Sequence, residues 1–252
     1  MNQPRIADPF PASPGIDVIP TYWPVPGLGS IAMNAFVLHG PEPVLVDTGV
    51  AVLADEFVEA LADRVDLPEL RWIWLTHEDR DHTGALSRLL EIAPRATVLG
   101  TFMTFGRCAP DGAVPFDRYR IVNPGDVVRI GDRVLRAVRP PLYDSPGTLG
   151  LHDLSSGAYL SSDCFGAPLP PDVAAGRDTG QVDPEILRSA QIGWALADSP
   201  WVAHADRDAL RTQVEAVRGL DPSALLSTHL PPVHRDIDRV LDSVLLACDT
   251  DP

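Results

Sequence analysis

Three cysteines, Cys108, Cys164 and Cys248, are all that 252 residues contain, and no two of them have a paired spacing. That excludes a disulfide framework and fits a reduced, cytoplasmic setting, with the cysteines acting as small apolar residues. No apolar run approaches the roughly 20 residues of a membrane span. The opening MNQPRIADPFPASPG has no apolar segment of the kind a secretory signal carries. Lysine is absent, so the 20 basic residues are all arginines, set against 35 Asp and Glu, for a formal charge of −15. Such an excess repels phosphates and argues against nonspecific nucleic-acid binding.

What is present is a chain that is 45% hydrophobic, enough to bury a proper core. Residues 1–20 are Pro-rich and without periodicity, and read as an extended arm; residues 21–252 read as a single domain. Short apolar runs at 31–39 and 43–46, separated by Gly40-Pro41, predict a hairpin ending at Asp47. Helical spacing follows over 51–65, then an apolar strand, Trp72 to Leu75, whose tryptophans read as core, then an amphipathic helix with Leu86, Leu89, Leu90 and Ile92 in register. Residues 101–117 read as an interrupted loop with a helical turn. From Tyr119 the chain turns to short β-branched strands with Gly-Asp turns, followed by an irregular loop over 167–182. Next come a helix opening at Asp183-Pro184 with an N-cap aspartate, a helix over about 203–218, strand 224–227 and a last helix over about 233–247. Strands and helices thus occur twice in order, which an αββα sandwich, two mixed sheets flanked by helices, accommodates.

The stretch Thr76-His77-Glu78-Asp79-Arg80-Asp81-His82 is the chemical centre of the sequence. It puts five ionisable groups besides Arg80 into six residues at the end of a buried strand. Crowded carboxylates repel one another unless a cation or hydrogen bonds hold them, and a metal ion is the simplest such cation. Asp47, Asp144, Asp163 and His229 stand at or after the ends of other strands, where loops converge, so one shared site is expected. Glu78 and Arg80 alternate with the candidate ligands and are expected to point away, with Arg80 available to a carboxylate. His39, His152, His204 and His234 read as surface or hydrogen-bonded histidines.

His77-x-Asp79-x-Asp81-His82 resembles the His-x-His-x-Asp-His signature of the metallo-β-lactamase fold. Within that superfamily the chain resembles most the diiron core of flavodiiron proteins and of the oxygen-binding diiron proteins that lack a flavodoxin domain. Those carry a carboxylate at the position of Asp79, normally Glu. The run Ser161-Ser162-Asp163-Cys164-Phe165-Gly166 is similar to their Ser-x-Asp-x-Phe-Gly segment. Spacings of 62 residues between Asp81 and Asp144 and 18 between Asp144 and Asp163 agree with the same pattern.

The resemblance implies one metal on His77, Asp79 and Asp144, a second on Asp81, His82 and His229, and Asp163 between them, with Asp47 orienting the motif loop. It implies two divalent or trivalent ions, iron foremost, with manganese or zinc as alternatives. Asp79 is one methylene shorter than Glu, and Asp144 stands where the family has His, so His152, eight residues on, is a conceivable substitute. The expected function is binding or reduction of O₂ or NO with a separate electron donor, there being no flavin domain in the chain. The alternative is a metal-dependent hydrolase of an ester, thioester or phosphodiester that uses a metal-activated hydroxide. A degenerate, non-enzymatic site is a third reading. The expected partners are O₂, NO or another small substrate, a redox donor and a second copy of the chain, with no nucleic acid and no membrane. The segments 101–117 and 167–182 are expected to line the pocket, and Cys164, beside Asp163, to influence access.

Overall fold

A computed structural model describes residues 3–108 and 114–250. The first sheet has eight strands: β1 (Arg5–Ile6), β2 (Phe10–Ser13), β3 (Ile16–Val25), β4 (Gly29–Leu38), β5 (Val44–Val46), β6 (Trp72–Trp74), β7 (Thr97–Gly100) and β8 (Tyr119–Ile121). The main path runs β1-β3-β4-β5-β6-β7-β8, with β2 also on β3. Strands β5 to β8 are parallel, and the rest pair antiparallel. The second sheet, in the order β13-β12-β11-β10-β9, contains β9 (Val127–Ile130), β10 (Arg133–Val138), β11 (Gly150–Asp153), β12 (Ala158–Leu160) and β13 (Ala224–Leu226). Only β12 and β13 are parallel there.

Alternation along each strand sorts the core into layers, as a two-residue period requires. Val46, Trp74 and Leu99 from the first sheet meet Leu135, Leu151, Leu160 and Leu226 from the second. The other faces of β5, β6 and β7, through Leu45, Ile73 and Val98, pack on Phe57 and Leu61 of α1 (Ala54–Ala62) and on Leu86 and Leu89 of α2 (Leu86–Ile92). A short helix, α3 (Phe102–Cys108), follows β7, and a four-residue helix, α4 (Pro171–Ala174), lies within the 167–182 loop. On the outside of the second sheet, Tyr159 and Leu225 pack against α5 (Pro184–Asp198), α6 (Arg207–Arg218) and α7 (Ile237–Cys248). The αββα sandwich expected from the sequence is the fold.

Asp183 caps α5, its Oδ1 accepting from the N–H groups of Glu185 (2.9 Å) and Ile186 (3.2 Å). The helix expected over 203–218 begins at Arg207, because Asp206 caps it and Pro200–His204 form a separate 3₁₀ turn. The last helix begins at Ile237 rather than near 233, since Val233 pairs with Leu225 as a β-bridge.

The segment read as a surface arm, residues 1–20, enters the sheet from Arg5 onward, and Ile16, Val18 and Ile19 are fully buried; residues 1 and 2 lie outside the described residues. Prolines hid this. Pro20 turns its backbone toward the outer strand, where its carbonyl accepts from Ala7 N–H (2.9 Å). Its missing N–H therefore takes nothing from the ladder with β4.

At one edge of the sandwich Arg133 joins the sheets. It donates to His39 O (2.7 Å) and Gly15 O (2.6 Å) on the first sheet and pairs with Asp153 of β11 on the second. Both members of the pair are buried. The ends of β5, β6, β12 and β13, which carry the motif residues, lie at the opposite edge.

Candidate metal centre

The parallel strand β6 ends at Trp74, and the loop after it turns His77, Asp79, Asp81 and His82 toward the seam between the sheets. From the second sheet come Asp144, on the loop between β10 and β11, Asp163 after β12, and His229 after β13. All seven sequence-predicted residues converge. Ligand atoms of His77, Asp79 and Asp144 lie within 4.8 Å of one another, as do those of Asp81, His82 and His229, and those of His77, His82 and Asp163.

Asp163 divides its oxygens between two groups. Oδ2 lies 3.4 Å from His77 Nε2, while Oδ1 lies 3.1 Å from His82 Nε2 and 3.2 Å from His229 Nε2. His77 Nε2 stands 4.0 Å from Asp79 Oδ2 and 3.9 Å from Asp144 Oδ1. Asp81 Oδ2 stands 3.6 Å from His82 Nε2 and 3.5 Å from His229 Nε2. Two ligands each about 2.1 Å from one ion are at most about 4.2 Å apart, and every one of these separations passes. The second group is the tighter and holds two imidazoles. The first is wider and holds one, and its Asp79 is half exposed.

The buried atoms meet the same test. His77 Nε2, His82 Nε2 and Asp163 Oδ1 are sealed from solvent without a hydrogen-bond partner. Orphaned polar atoms are costly inside a protein. Here they face one another in a donor set of imidazoles and carboxylates, and the residues present fit a pair of metal ions.

Each imidazole is aimed by its other nitrogen. His82 Nδ1 meets Asp47 Oδ2 at 2.9 Å, and the same carboxylate accepts from Thr76 N–H (2.8 Å) and Thr76 Oγ1 (2.8 Å). His229 Nδ1 contacts Ala32 O at 2.7 Å, and His77 Nδ1 lies 3.2 Å from Ser162 Oγ. Asp47 (φ 60°), Ser162 (φ 55°) and Phe165 (φ 70°) are held in the left-handed region beside these contacts, local strain of the kind that gathers at functional sites.

The charges are set by the same neighbours. Burial alone would lower the His82 and His229 pKa values, but Asp163 and Asp81 outweigh it, with Asp47 adding to the effect on His82. His82 is pushed well above its ordinary value and His229 to about 9. Burial works to raise Asp163, yet His82, His229 and His77 hold it well below the carboxylate range. Asp79 is raised, by burial first and by Asp144 as well. Without a metal, protons supply the cluster's positive charge, and a metal entering displaces them.

Sequence reasoning missed three contributors. Glu78 does point away from the cluster, but into a buried network: it accepts from Ser145 Oγ (2.7 Å) and Thr104 Oγ1 (3.3 Å) and pairs with Arg107. Segment 101–117 thus supports the Asp144 loop through α3; its residues 109–113 lie outside the described residues. Trp194 of α5 donates to Asp163 O (3.0 Å) and packs on the His229 ring, centroids 4.6 Å apart. Asp198, the last residue of α5, has an oxygen within 4.8 Å of ligand atoms of both Asp144 and Asp163. Burial, Asp163 and Asp144 raise its pKa to about 7. A regular i, i+4 pattern would have put Trp194 and Asp198 on one face of α5, the only signal available for the last two.

Other expectations fare differently. Arg80 pairs with no carboxylate among the described residues. His152 sits on β11 away from the cluster and cannot replace an imidazole there. It is buried, unlike the surface role expected of it. Cys164 is buried, and burial pushes its thiol pKa up. The start of the 167–182 loop is tied to the site through Ala167 N–H, which donates to His229 O (3.0 Å). No helix among the described residues is long and apolar enough to cross a membrane.

Comparison with known proteins places this geometry. Residues 31–182 match the family model described as "ODP family beta lactamase". An uncharacterized protein of Methanocaldococcus jannaschii is 26% identical over 200 residues, 78% of this chain and 48% of its own length. The anaerobic nitric oxide reductase flavorubredoxin of Salmonella typhi is 27% identical over 134 residues, 53% of this chain and 28% of its own length. The chain thus spans less than half the length of these curated relatives. Among solved structures, rubredoxin oxygen:oxidoreductase from Desulfovibrio gigas superposes with a TM-score of 0.81 at 18% identity, covering 96% of this chain and 61% of that one. At that identity the likeness is one of fold.

Proposed function

We propose, given that the chain belongs to the ODP family of beta lactamases, that it is a dinuclear iron protein that binds or reduces O₂ or NO. One ion would be held by His77, Asp79 and Asp144, the other by Asp81, His82 and His229, with Asp163 shared. The observation that carries the reading is the division of Asp163, one oxygen toward each group. The make-up of the first group favours iron or manganese over zinc and copper, because one nitrogen among carboxylates suits a harder ion. Relatedness to the flavorubredoxin, an anaerobic nitric oxide reductase by name, supports a diatomic substrate.

A pair of iron ions held by these residues would supply redox electrons and Lewis acidity toward a diatomic ligand. The chain's own residues do the rest. His82 and His229 are fixed in direction by Asp47 and Ala32 O, so their Nε2 atoms need no reorganisation to act. Asp163, buried and kept ionised, offsets positive charge at the seam. Asp79 and Asp81, the more exposed carboxylates with Asp144, form the solvent side through which a small ligand and protons pass. A redox donor would supply the electrons.

The test is metal analysis of protein produced with iron, followed by optical spectra of the ferrous form on exposure to O₂ and to NO. About two irons per chain and a ligand-dependent band are expected. Stoichiometric zinc with no ferrous-dependent band would sink the reading, and turnover of an ester or phosphodiester, lost in Asp81→Ala and His229→Ala, would put hydrolysis in its place.

A further inference from the structure

Asp198 closes α5 in an awkward position. A carboxylate in a helix's last turn faces the partial negative charge of the free carbonyls. No arginine pairs with it among the described residues, and its one hydrogen bond is from Ser199 Oγ at 3.2 Å. Yet its place is fixed on both sides. One turn earlier, Trp194 donates to Asp163 O (3.0 Å); three residues later, Trp201 Nε1 donates to Tyr143 O (2.9 Å), the residue before Asp144. These bonds hold Asp198 beside Asp144 and Asp163, with an oxygen of each of the three within 4.8 Å of the others. A second observation concerns two of the three acids: His77 Nε2 is fully buried and without a hydrogen-bond partner, and it lies 3.4 Å from Asp163 Oδ2 and 3.9 Å from Asp144 Oδ1. Three carboxylates thus gather at a helix C-terminus, two of them also facing an imidazole nitrogen that has no partner, and no arginine answers them among the described residues.

We infer that Asp198 is an additional carboxylate ligand of the metal centre, reaching the ion of the His77 group from the Asp144 side. The inference rests on the two-metal reading above. It accounts for a first group that is wider than the second and has a single imidazole: a further donor from α5 completes it.

Manganese(II) serves as the probe, titrated into metal-free protein under argon and followed by calorimetry and electron paramagnetic resonance. Wild type is expected to bind two ions with a spin-coupled spectrum. Asp198→Asn is expected to bind one ion as before and the other about 10–100-fold more weakly, with the six-line spectrum of an isolated ion at one equivalent and beyond. Asp198→Glu restores part of the lost affinity. Melting of the metal-free proteins separates a ligand from a structural residue. Removing one of three repelling carboxylates should leave the metal-free Asp198→Asn protein as stable as wild type or more so, and shrink the gain in melting temperature on adding manganese. Two ions bound by Asp198→Asn with wild-type affinities overturns the inference and leaves the two-metal reading standing, as does a lower metal-free melting temperature with an unchanged manganese gain. Uptake of no metal by wild type overturns both.

Discussion

Glu78 accepts a 2.7 Å hydrogen bond from Ser145 Oγ, so the loop that presents His77 and Asp79 also holds the loop that presents Asp144. Both loops feed the first metal group, and Glu78 sets their spacing. Glu78→Ala should weaken that ion's binding about tenfold and leave the second unchanged, in manganese titrations. Loss of the buried acceptor should also cost about 1–3 kcal/mol in urea unfolding.

Asp47 works on the second group. It accepts from Thr76 twice and fixes the His82 ring, from a backbone angle that Asp and Asn tolerate better than most residues. Asp47→Ala should lose about 10–100-fold in affinity at the His82 group, read by competition with a chelator. Asp47→Asn keeps the backbone but loses the charge, and an intermediate loss is expected.

Gly166 is where the chain passes under α5. A Cβ there would lie 2.7 Å from Trp194 Nε1 and 2.8 Å from His229 Cβ. Gly166→Ala should push Trp194 off Asp163 O and tilt the His229 ring. The expected result is weaker metal retention and a changed tryptophan fluorescence, in a protein whose sandwich still gives wild-type far-ultraviolet circular dichroism.

His152 gives the fold a pH dependence of its own. Burial lowers its pKa and Arg136, its cross-strand neighbour, adds to the shift, outweighing the Gly157 backbone and Asp153, which work to raise it. The folded value lies below the unfolded one of about 6.5, so the native state takes up fewer protons. Its contribution to stability is complete above that value and is lost as pH falls through the lowered folded value. In urea unfolding of metal-free protein between pH 7.5 and 5, His152→Phe should lose less stability on acidification than wild type. Parallel curves for the two proteins would contradict this.

Much of the fold and centre was legible because strand ends are legible. His77, Asp79, Asp81 and His82 are contiguous, and Asp163 and His229 follow short apolar strands, so a reader who puts strand termini together finds the cluster. Asp198 was not legible, because an aspartate before Ser199-Pro200 reads as an ordinary exposed helix end; only the bonds from Trp194 and Trp201 place it inward. Glu78 alternates with ligands and was rightly turned away from them, but alternation says nothing about Ser145, 67 residues distant. Strands β1 to β3 were hidden by prolines, of which Pro20 turns its backbone to the outer strand.

Arg133→Met should cost about 3–5 kcal/mol, because Asp153 is left buried and unpaired. The double variant Arg133→Met, Asp153→Leu should recover much of that loss, as an apolar pair of similar volume needs no counter-charge; chemical denaturation of the two proteins measures both.

The two edges of the sandwich therefore differ in kind. At the Arg133 edge the sheets are fastened by groups the chain supplies for itself. At the other edge neutral bonds, such as Leu149 N–H to Thr76 O (2.7 Å) and Asn34 Nδ2 to Leu230 O (2.8 Å), stand beside a cluster of acids and imidazoles whose positive charge has to come from protons or metal. On the two-metal reading, one edge has a permanent spine and the other a clasp that would arrive from solution. With the clasp removed, amide exchange should quicken along residues 77–82 and 161–164 while the spine keeps its protection, so metal supply would set how long the two leaves stay shut.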